Sequence, residues 1–290
     1  MTTPSTAVPR SYLYVPGDQP RMLARALDRG ADAVIVDLED AVAPAAKAAA
    51  RAAVAEWLRS RAPRPDVEVW VRVNSGPAGL EDAAAVLWPG LAGVMPAKTQ
   101  SVADLVALDA ALRDAEADAG LPTGRVAVIP ILESAAAVLR ASSVARAPRV
   151  QRLQIGEADL RADIGLPAGD GEPELLYARS QVVLVSAACR LAPPIGPVST
   201  DFRDLAGFHT STRALARLGF VGRACIHPAQ VAVVNDVFTP APNEVDRASA
   251  LVARFEQAAA AGDGVLLDDA GRMVDEAVIR QARQLLARVR

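Results

Sequence analysis

The chain has 290 residues, 51% of them hydrophobic and 4% aromatic, and a formal net charge of −3. That hydrophobic share excludes a disordered chain, and the slightly acidic balance excludes the basic face of a nucleic-acid binder. Alanine (61) and arginine (29) abound while lysine occurs twice, at Lys47 and Lys98, so both lysines invite a chemical explanation.

Short β-type runs alternate with longer helical patterns. Strands are predicted over 11–15, 33–37, 67–73, 93–96, 126–132, 152–155, 194–199 and 221–226. "AVIVDL" and "VAVIPIL" are near-continuous apolar runs, as in parallel strands buried on both faces. An Ala-rich helix is predicted over 44–61, with a proline at an early helical position and a stop before Pro63. A second, over 101–119, carries Leu105, Leu108 and Leu112 at spacings of three and four, with Gly120 as its stop. The stretches 175–190 and 205–218 behave likewise.

Eight strands alternating with helices over about 225 residues predict the α/β class and a (β/α)8 TIM barrel. A doubly wound sheet would want a glycine-rich phosphate loop after the first strand, and "VPGDQP" is not one. Helices follow the eighth strand at 228–238 and 243–261, then a Gly/Asp-rich turn at 262–271. A last helix runs from Asp275 or Glu276 to Val289. The catalytic barrel is therefore expected over residues 10–240, with residues 241–290 a C-terminal helical appendage that acts as lid, oligomer contact or both.

Two cysteines, Cys189 and Cys225, make neither a disulfide framework nor a zinc quartet, and their apolar contexts predict inert buried thiols. Residues 1–10 lack the apolar core of a signal peptide. No segment reaches the roughly 20 apolar residues of a membrane span. A cytoplasmic protein with no membrane partner is expected.

Active sites of such barrels lie at the C-terminal strand ends. Residues just past each run are Pro16 and Gly17, then Asp37, Glu39 and Asp40, then Arg72 and Asn74, then Lys98. Glu133 and Ser134, Glu157 and Asp159, Thr200 and Asp201, and His227 and Pro228 complete the ring. So many carboxylates in one barrel mouth call for a cation. A hard divalent ion held by two carboxylates plus water or substrate fits, which is the usual Mg²⁺ arrangement; no His/Cys cluster favours zinc. Bland roles compete at several positions. Asp40 is expected to cap the following helix, His227 to be a packed histidine, and Asp201 to be a turn or cap residue as readily as a functional one. Lys98 has a charge-balancing alternative. Arg72, ending "VWVRVN", wants an anion, and Glu133, ending "VAVIPILE", wants a partner. Glu157 and Asp159, two apart, are expected to share a face on a strand end.

"RSYLYVPGDQPRMLARALDRGADAVIVDLEDAV", "VRVN", "MPAKTQS", "ILES", "IGEADLRADIGL", "LGFVGRACIHPAQVAVVN" and "GRMVDEAV" resemble the HpcH/HpaI aldolase and citrate lyase β-subunit family, from Arg10 to about Ala287. The resemblance implies a TIM barrel, Mg²⁺, and cleavage or formation of a C–C bond in a β-hydroxyacyl thioester. It makes Glu133 and Asp159 the metal ligands, with Glu133 also touching substrate. Arg72 becomes the clamp for the substrate's carboxylate or carbonyl oxygens, and Glu39 a site carboxylate near the metal-bound waters. In the stand-alone CoA-lyase branch an aspartate of the C-terminal segment enters a neighbouring subunit's site, and "GRMVDEA" gives Asp275 that role. The chain departs from the family at Ala97, which separates Pro96 from Lys98, and at Gln100, where Glu is common. Arg10, Arg25 and Lys47 are candidates for the CoA phosphates.

The implied partners are a CoA thioester of malyl, citramalyl or citryl type and a small 2-oxo acid, with assembly as a homotrimer or homohexamer. A citrate lyase β subunit acting on a carrier-protein citryl thioester is the alternative. A Schiff-base aldolase using Lys98, or a non-catalytic homologue, is the other.

Overall fold

Residues 8–167, 172–260, 266–267 and 271–289 are described by the computed structural model. Strands β1 (Ser11–Pro16), β2 (Ala33–Asp37), β3 (Glu68–Val73) and β4 (Leu91–Pro96) run parallel side by side. Strand β5 (Ala127–Val128) pairs with β4, and β8 (Arg223–Cys225) pairs with β1. The result is a six-stranded parallel sheet in the order β5-β4-β3-β2-β1-β8. Strands β6 (Ile131–Leu132) and β7 (Gln154–Ile155) form a separate parallel pair. Single bridges at Val128–Val150, Gln154–Ile195 and Gly196–Arg223 continue the order of a (β/α)8 ring.

Regular pairing does not close that ring, and prolines account for the gap. Pro130 splits the expected fifth strand into β5 and β6. Pro194 and Pro197 remove N–H donors from the expected strand over 194–199, which pairs only at Ile195 and Gly196. The interior is nonetheless barrel-like. Tyr12, Ala33, Ile35, Trp70, Met95, Ala127, Ile129, Ile131, Ile195 and Ala224 form one buried cluster. They come from seven of the eight strand positions, so the inward side chains meet in a single core.

The helices that alternate with and follow these strands are α1 (Pro20–Leu23), α2 (Lys47–Arg59), α3 (Gly76–Ala85), α4 (Val102–Asp118), α5 (Ala135–Leu139), α6 (Ala141–Val144), α7 (Glu157–Ile164), α8 (Leu176–Ala188), α9 (Leu205–Leu218) and α10 (Pro228–Phe238). Helix α4 follows the predicted spacing: Leu105, Leu108 and Leu112 are buried, and Ser101 with Asp104 forms a capping box at its start. Helix α3 is hidden in the sequence by the glycines and proline of "SGPAGLED", and α7 by its position just after a strand.

The chain divides into a unit over Pro9–Asp236 and a second that takes in Val237 onward. In the second, α11 (Pro242–Ala260) packs on α12 (Glu276–Leu286). Phe255, Val274 and Ile279 are its buried centre. Strand β9 (Leu266–Leu267), inside the stretch expected to be a turn, pairs antiparallel with β10 (Met273–Val274), which follows that stretch; residues 262–265 and 268–270 of the turn lie outside the described residues. No helix among the described residues is long and apolar enough to cross a membrane.

Candidate active site

Strand parity builds the site. Inward residues at every second position run Tyr12–Tyr14 on β1, Ile35–Asp37 on β2, Trp70–Arg72 on β3 and Ile129–Ile131–Glu133 on the fifth strand position. Each series begins in the apolar core and ends with a polar side chain at the C-terminal end. Those ends line a cavity of about 290 Å³ with Gln154, Asp159 and Val198.

The register of β2 against β3 sets Asp37 beside Arg72. The Arg72 guanidinium donates from Nε (2.6 Å) and Nη2 (2.5 Å) to the two Asp37 oxygens, and Nη1 lies 3.2 Å from Glu39 Oε2. Its carbon Cζ stands 5.0 Å over the Tyr14 ring. Burial disfavours the Arg72 cation, but the Asp37 bonds outweigh it and raise its pKa. Asp37 also accepts from the amides of Glu39 (2.9 Å) and Ala41 (3.2 Å), which folds the "DLED" turn onto the strand end.

Lys98 closes this network from β4. It adopts a left-handed backbone conformation, φ 51°, uncommon for a residue with a Cβ. Its amide donates to Glu133 Oε1, and its ammonium reaches Glu39 Oε1 and, at 3.1 Å, Asp40 Oδ1. Burial opposes the ammonium's charge, yet the Glu39 and Asp40 bonds hold its pKa above the ordinary lysine value. Burial pushes the Glu39 carboxyl up, with Lys98 and Arg72 pulling the other way.

Glu133 is 5% exposed. Burial pushes its carboxyl up to about 7; the Lys98 amide opposes this, while the charges of Asp159 and Glu39 add to it. Gly156 permits the carboxylate's position: a Cβ there would lie 2.7 Å from Glu133 Cβ and 2.8 Å from Oε2. No described residue donates a hydrogen bond to Glu133 Oε2 or to the Asp159 carboxylate. Two carboxylates thus face one cavity short of positive charge, which fits a divalent cation. Among the described residues no group of three or more His, Cys, Asp or Glu side chains surrounds a single point. The protein would supply two oxygen ligands and leave the rest to water or substrate, as Mg²⁺ commonly accepts. Replacing Gly156 with Ala is expected to displace Glu133 and weaken divalent-cation binding about tenfold or more. Mn²⁺ titration followed by electron paramagnetic resonance checks it; unchanged affinity would show that the contact is not a constraint.

Of the sequence-derived candidates, Arg72, Glu39, Glu133 and Asp159 come together here. Arg72 is already held by Asp37, a partner the sequence placed at a strand end without a role; its inward parity with Ile35 was the available signal. Both Glu39 oxygens are engaged, by Lys98, by Arg72 and by the Asp40 amide (2.8 Å). Glu157 and Asp159 are not on a strand end. They occupy the first turn of α7, where residues two apart do not face each other. Glu157 instead receives two 2.6 Å bonds from Arg179, a partner with no local sequence signal.

Asp40 does not cap a helix: its carboxylate binds Lys98. Asp201 is a turn residue, accepting from the Arg203 and Asp204 amides. His227 stacks on Phe202 at 5.0 Å. Arg10 precedes β1, at the end away from the cavity, and is ion-paired with Asp32 at 2.8 Å. Lys47 donates to Asn74 Oδ1. Cys225 is buried, which pushes its thiol up to about 12, whereas Cys189 is only half-buried. Asp275 belongs to the second unit, where Oδ1 caps α12 by accepting from the Ala277 (2.9 Å) and Val278 (3.1 Å) amides.

Residues 10–228 match the model of the family described as HpcH/HpaI aldolase/citrate lyase. The chain is 32% identical to the citrate lyase subunit beta of Leuconostoc mesenteroides subsp. cremoris over 280 residues, 96% of this chain and 92% of that one. It is 34% identical to an L-malyl-CoA/beta-methylmalyl-CoA lyase of Cereibacter sphaeroides over 306 residues, 96% and 93% of the two chains. Its fold resembles the crystal structure of CitE from Mycobacterium tuberculosis in complex with magnesium, acetoacetate and coenzyme A. The TM-score is 0.76 and the identity 28%, with 98% of each chain covered.

Proposed function

The chain belongs to the HpcH/HpaI aldolase/citrate lyase family, and from that premise we propose that it is a Mg²⁺-dependent lyase cleaving or forming a β-hydroxyacyl-CoA thioester. The products of cleavage are an acyl-CoA and a 2-oxo acid. The observation that carries this proposal is the pair of carboxylates, Glu133 and Asp159, facing Arg72 across one cavity. Complexes of the M. tuberculosis protein with magnesium and coenzyme A support the choice of metal and thioester.

In the cleavage direction the substrate's hydroxyl loses its proton and the adjacent C–C bond breaks. The electron pair passes to the thioester as an enolate, which takes a proton at carbon. Glu133 and Asp159 hold the ion, and Mg²⁺ when bound supplies a Lewis acid for the oxo-acid fragment. Arg72, its charge fixed by Asp37, donates to the fragment's carboxylate with the N–H groups left over. Glu39 and Lys98 keep Arg72 and Glu133 in place. Asp275 moves the proton, from a neighbouring subunit of a homotrimer or homohexamer. Its Oδ1 caps α12, and Oδ2 remains for that task.

Turnover of malyl-CoA and citramalyl-CoA by the purified chain, lost with EDTA and restored by Mg²⁺, is the expected result. Activity only beside a carrier-protein subunit would favour the citrate lyase β role instead. A Schiff-base route needs a neutral Lys98, and the raised pKa opposes it. Borohydride with pyruvate is therefore expected to trap nothing, and a covalent adduct on Lys98 would overturn the metal-dependent mechanism. Asp275→Asn, which keeps the capping oxygen, and Asp275→Ala, which removes it, are both expected to lower kcat about 10²–10⁴-fold with metal binding intact. Only the alanine variant should lose about 1 kcal/mol of helix capping. Unchanged kcat in the asparagine variant would remove Asp275 from the chemistry.

A further inference from the structure

Lys47 is one of two lysines in the chain and has no part in the lyase chemistry above. It opens α2, half-buried, and its ammonium donates to Asn74 Oδ1. Among the described residues it makes no ion pair, so this amide is the group it serves. Asn74 follows β3 and is 8% exposed. Its Nδ2 donates to Asp82 Oδ2 (2.6 Å) and to the Leu38 carbonyl (2.8 Å). Asp82, fully buried on α3, also accepts from the Asn74 main-chain amide (3.0 Å) and from Arg51 Nε (2.6 Å).

An ammonium only donates and a carboxylate only accepts. Lys47 and Asp82 therefore permit one orientation of the Asn74 side chain. Turned over, it would set oxygen against Asp82 and the Leu38 carbonyl and an NH2 group against an ammonium, which leaves buried polar groups unsatisfied. The Leu38 carbonyl belongs to the Leu38–Glu39 peptide, whose N–H donates to Asp37 Oδ1 (2.9 Å). This flat unit is thus held at both edges, by Asn74 and by Asp37, and rotating it would swing Glu39 away. In its place Glu39 reaches Lys98 Nζ and lies 3.2 Å from Arg72 Nη1, and the Lys98 amide in turn holds Glu133.

We infer that Asn74, oriented by Lys47 and Asp82, is a positioning residue: it fixes the Leu38–Glu39 peptide and so aims Glu39 at Lys98 and Arg72. What Glu39 serves rests on the lyase reading, whereas the aiming does not.

The two-lysine composition supplies a test free of turnover. Full-length protein labelled with ¹³Cε-lysine gives one ε-methylene NMR signal for Lys47 and one for Lys98, assigned by Lys47→Arg. Asn74→Ala is expected to shift the Lys98 signal toward that of a solvated lysine, and Lys47→Met to shift it the same way by less. Lys47→Arg, which keeps a donor for Oδ1, is expected to leave it at the wild-type position. An unmoved Lys98 signal in either folded variant, Asn74→Ala or Lys47→Met, overturns the inference. Lys47→Met keeps the test decisive where Asn74→Ala does not fold, since it leaves the Asn74 bonds to Asp82 and Leu38 intact.

A double-mutant cycle on kcat/KM for malyl-CoA then asks whether Asn74 acts through Glu39. Asn74→Ala is expected to lower kcat/KM about tenfold or more in the otherwise wild-type chain. Where Glu39→Ala has already removed the side chain being aimed, the loss should be less than about threefold. Equal losses in the two backgrounds overturn the inference and leave the lyase reading intact. A shifted Lys98 signal in a protein whose wild type turns over no thioester supports the inference and sinks the lyase reading alone.

Discussion

Replacing Glu133 with Gln is expected to lower Mg²⁺ affinity about 100-fold or more and to remove most activity, while leaving the fold unchanged. The amide oxygen of Gln can still accept from the Lys98 N–H. What disappears is the negative charge that a hard cation requires. Asp159→Asn is expected to do the same from the α7 side of the cavity. In the wild type, the metal-free Glu133 carboxyl titrates near 7, so proton and metal compete for it. Apparent Mg²⁺ affinity should therefore fall about tenfold per pH unit below 7 and level off above it. The Gln variant should lose this pH dependence. Calorimetric titration of both proteins with Mg²⁺ between pH 5.5 and 8 (roughly spanning the transition) measures affinity and slope together. Near-normal turnover in both charge-removing variants would overturn the metal assignment.

Arg72→Met is expected to be the most damaging single change to stability at the site. Asp37 is 2% exposed, and the two guanidinium bonds are its charge compensation. Removing one partner of a buried ion pair costs about 3–5 kcal/mol, because the remaining charge stays in low dielectric. The same variant should lose kcat/KM through the missing contact to the acid fragment. Stability and chemistry can be separated with the double variant Arg72→Met, Asp37→Asn. Neutralising Asp37 should recover a large part of the denaturant midpoint and none of the activity. If the double variant recovers activity as well, Arg72 is only a structural partner of Asp37. Arg72→Lys should fall between the two. It keeps the charge but cannot form the planar fork that grips both Asp37 oxygens and lies over Tyr14.

The order of strands and helices was legible because buried parallel strands write their environment into continuous apolar runs, and "AVIVD" is wholly buried. The strand-end census followed from the same order, since a chain that alternates strand and helix must bring its strand ends to one rim. The same order carries Arg72, Glu39, Glu133 and Asp159 toward that rim, and the family resemblance implies roles for them. Pairing quality was less legible. Pro130, Pro194 and Pro197 were in view, but whether a proline ends a strand or only thins its ladder depends on which edge it turns to its neighbour.

What the sequence determined by itself was composition, periodicity and the identity of the residues carried to the rim, because these depend on spacing along the chain. What only the tertiary structure decided was how their charges are shared. Asp37 rather than substrate occupies the Arg72 fork, because register sets those two residues side by side. Glu157 goes to Arg179 and leaves Asp159 to the cavity, because α7 already begins at Glu157, where an extended strand end was expected. Lys98, scarce enough to draw notice, turns a strained main-chain amide to Glu133 and its ammonium to Glu39. Charge pairing acts through space over a few ångströms, and residues 35 or 59 positions apart reach that distance only when the strands are in place.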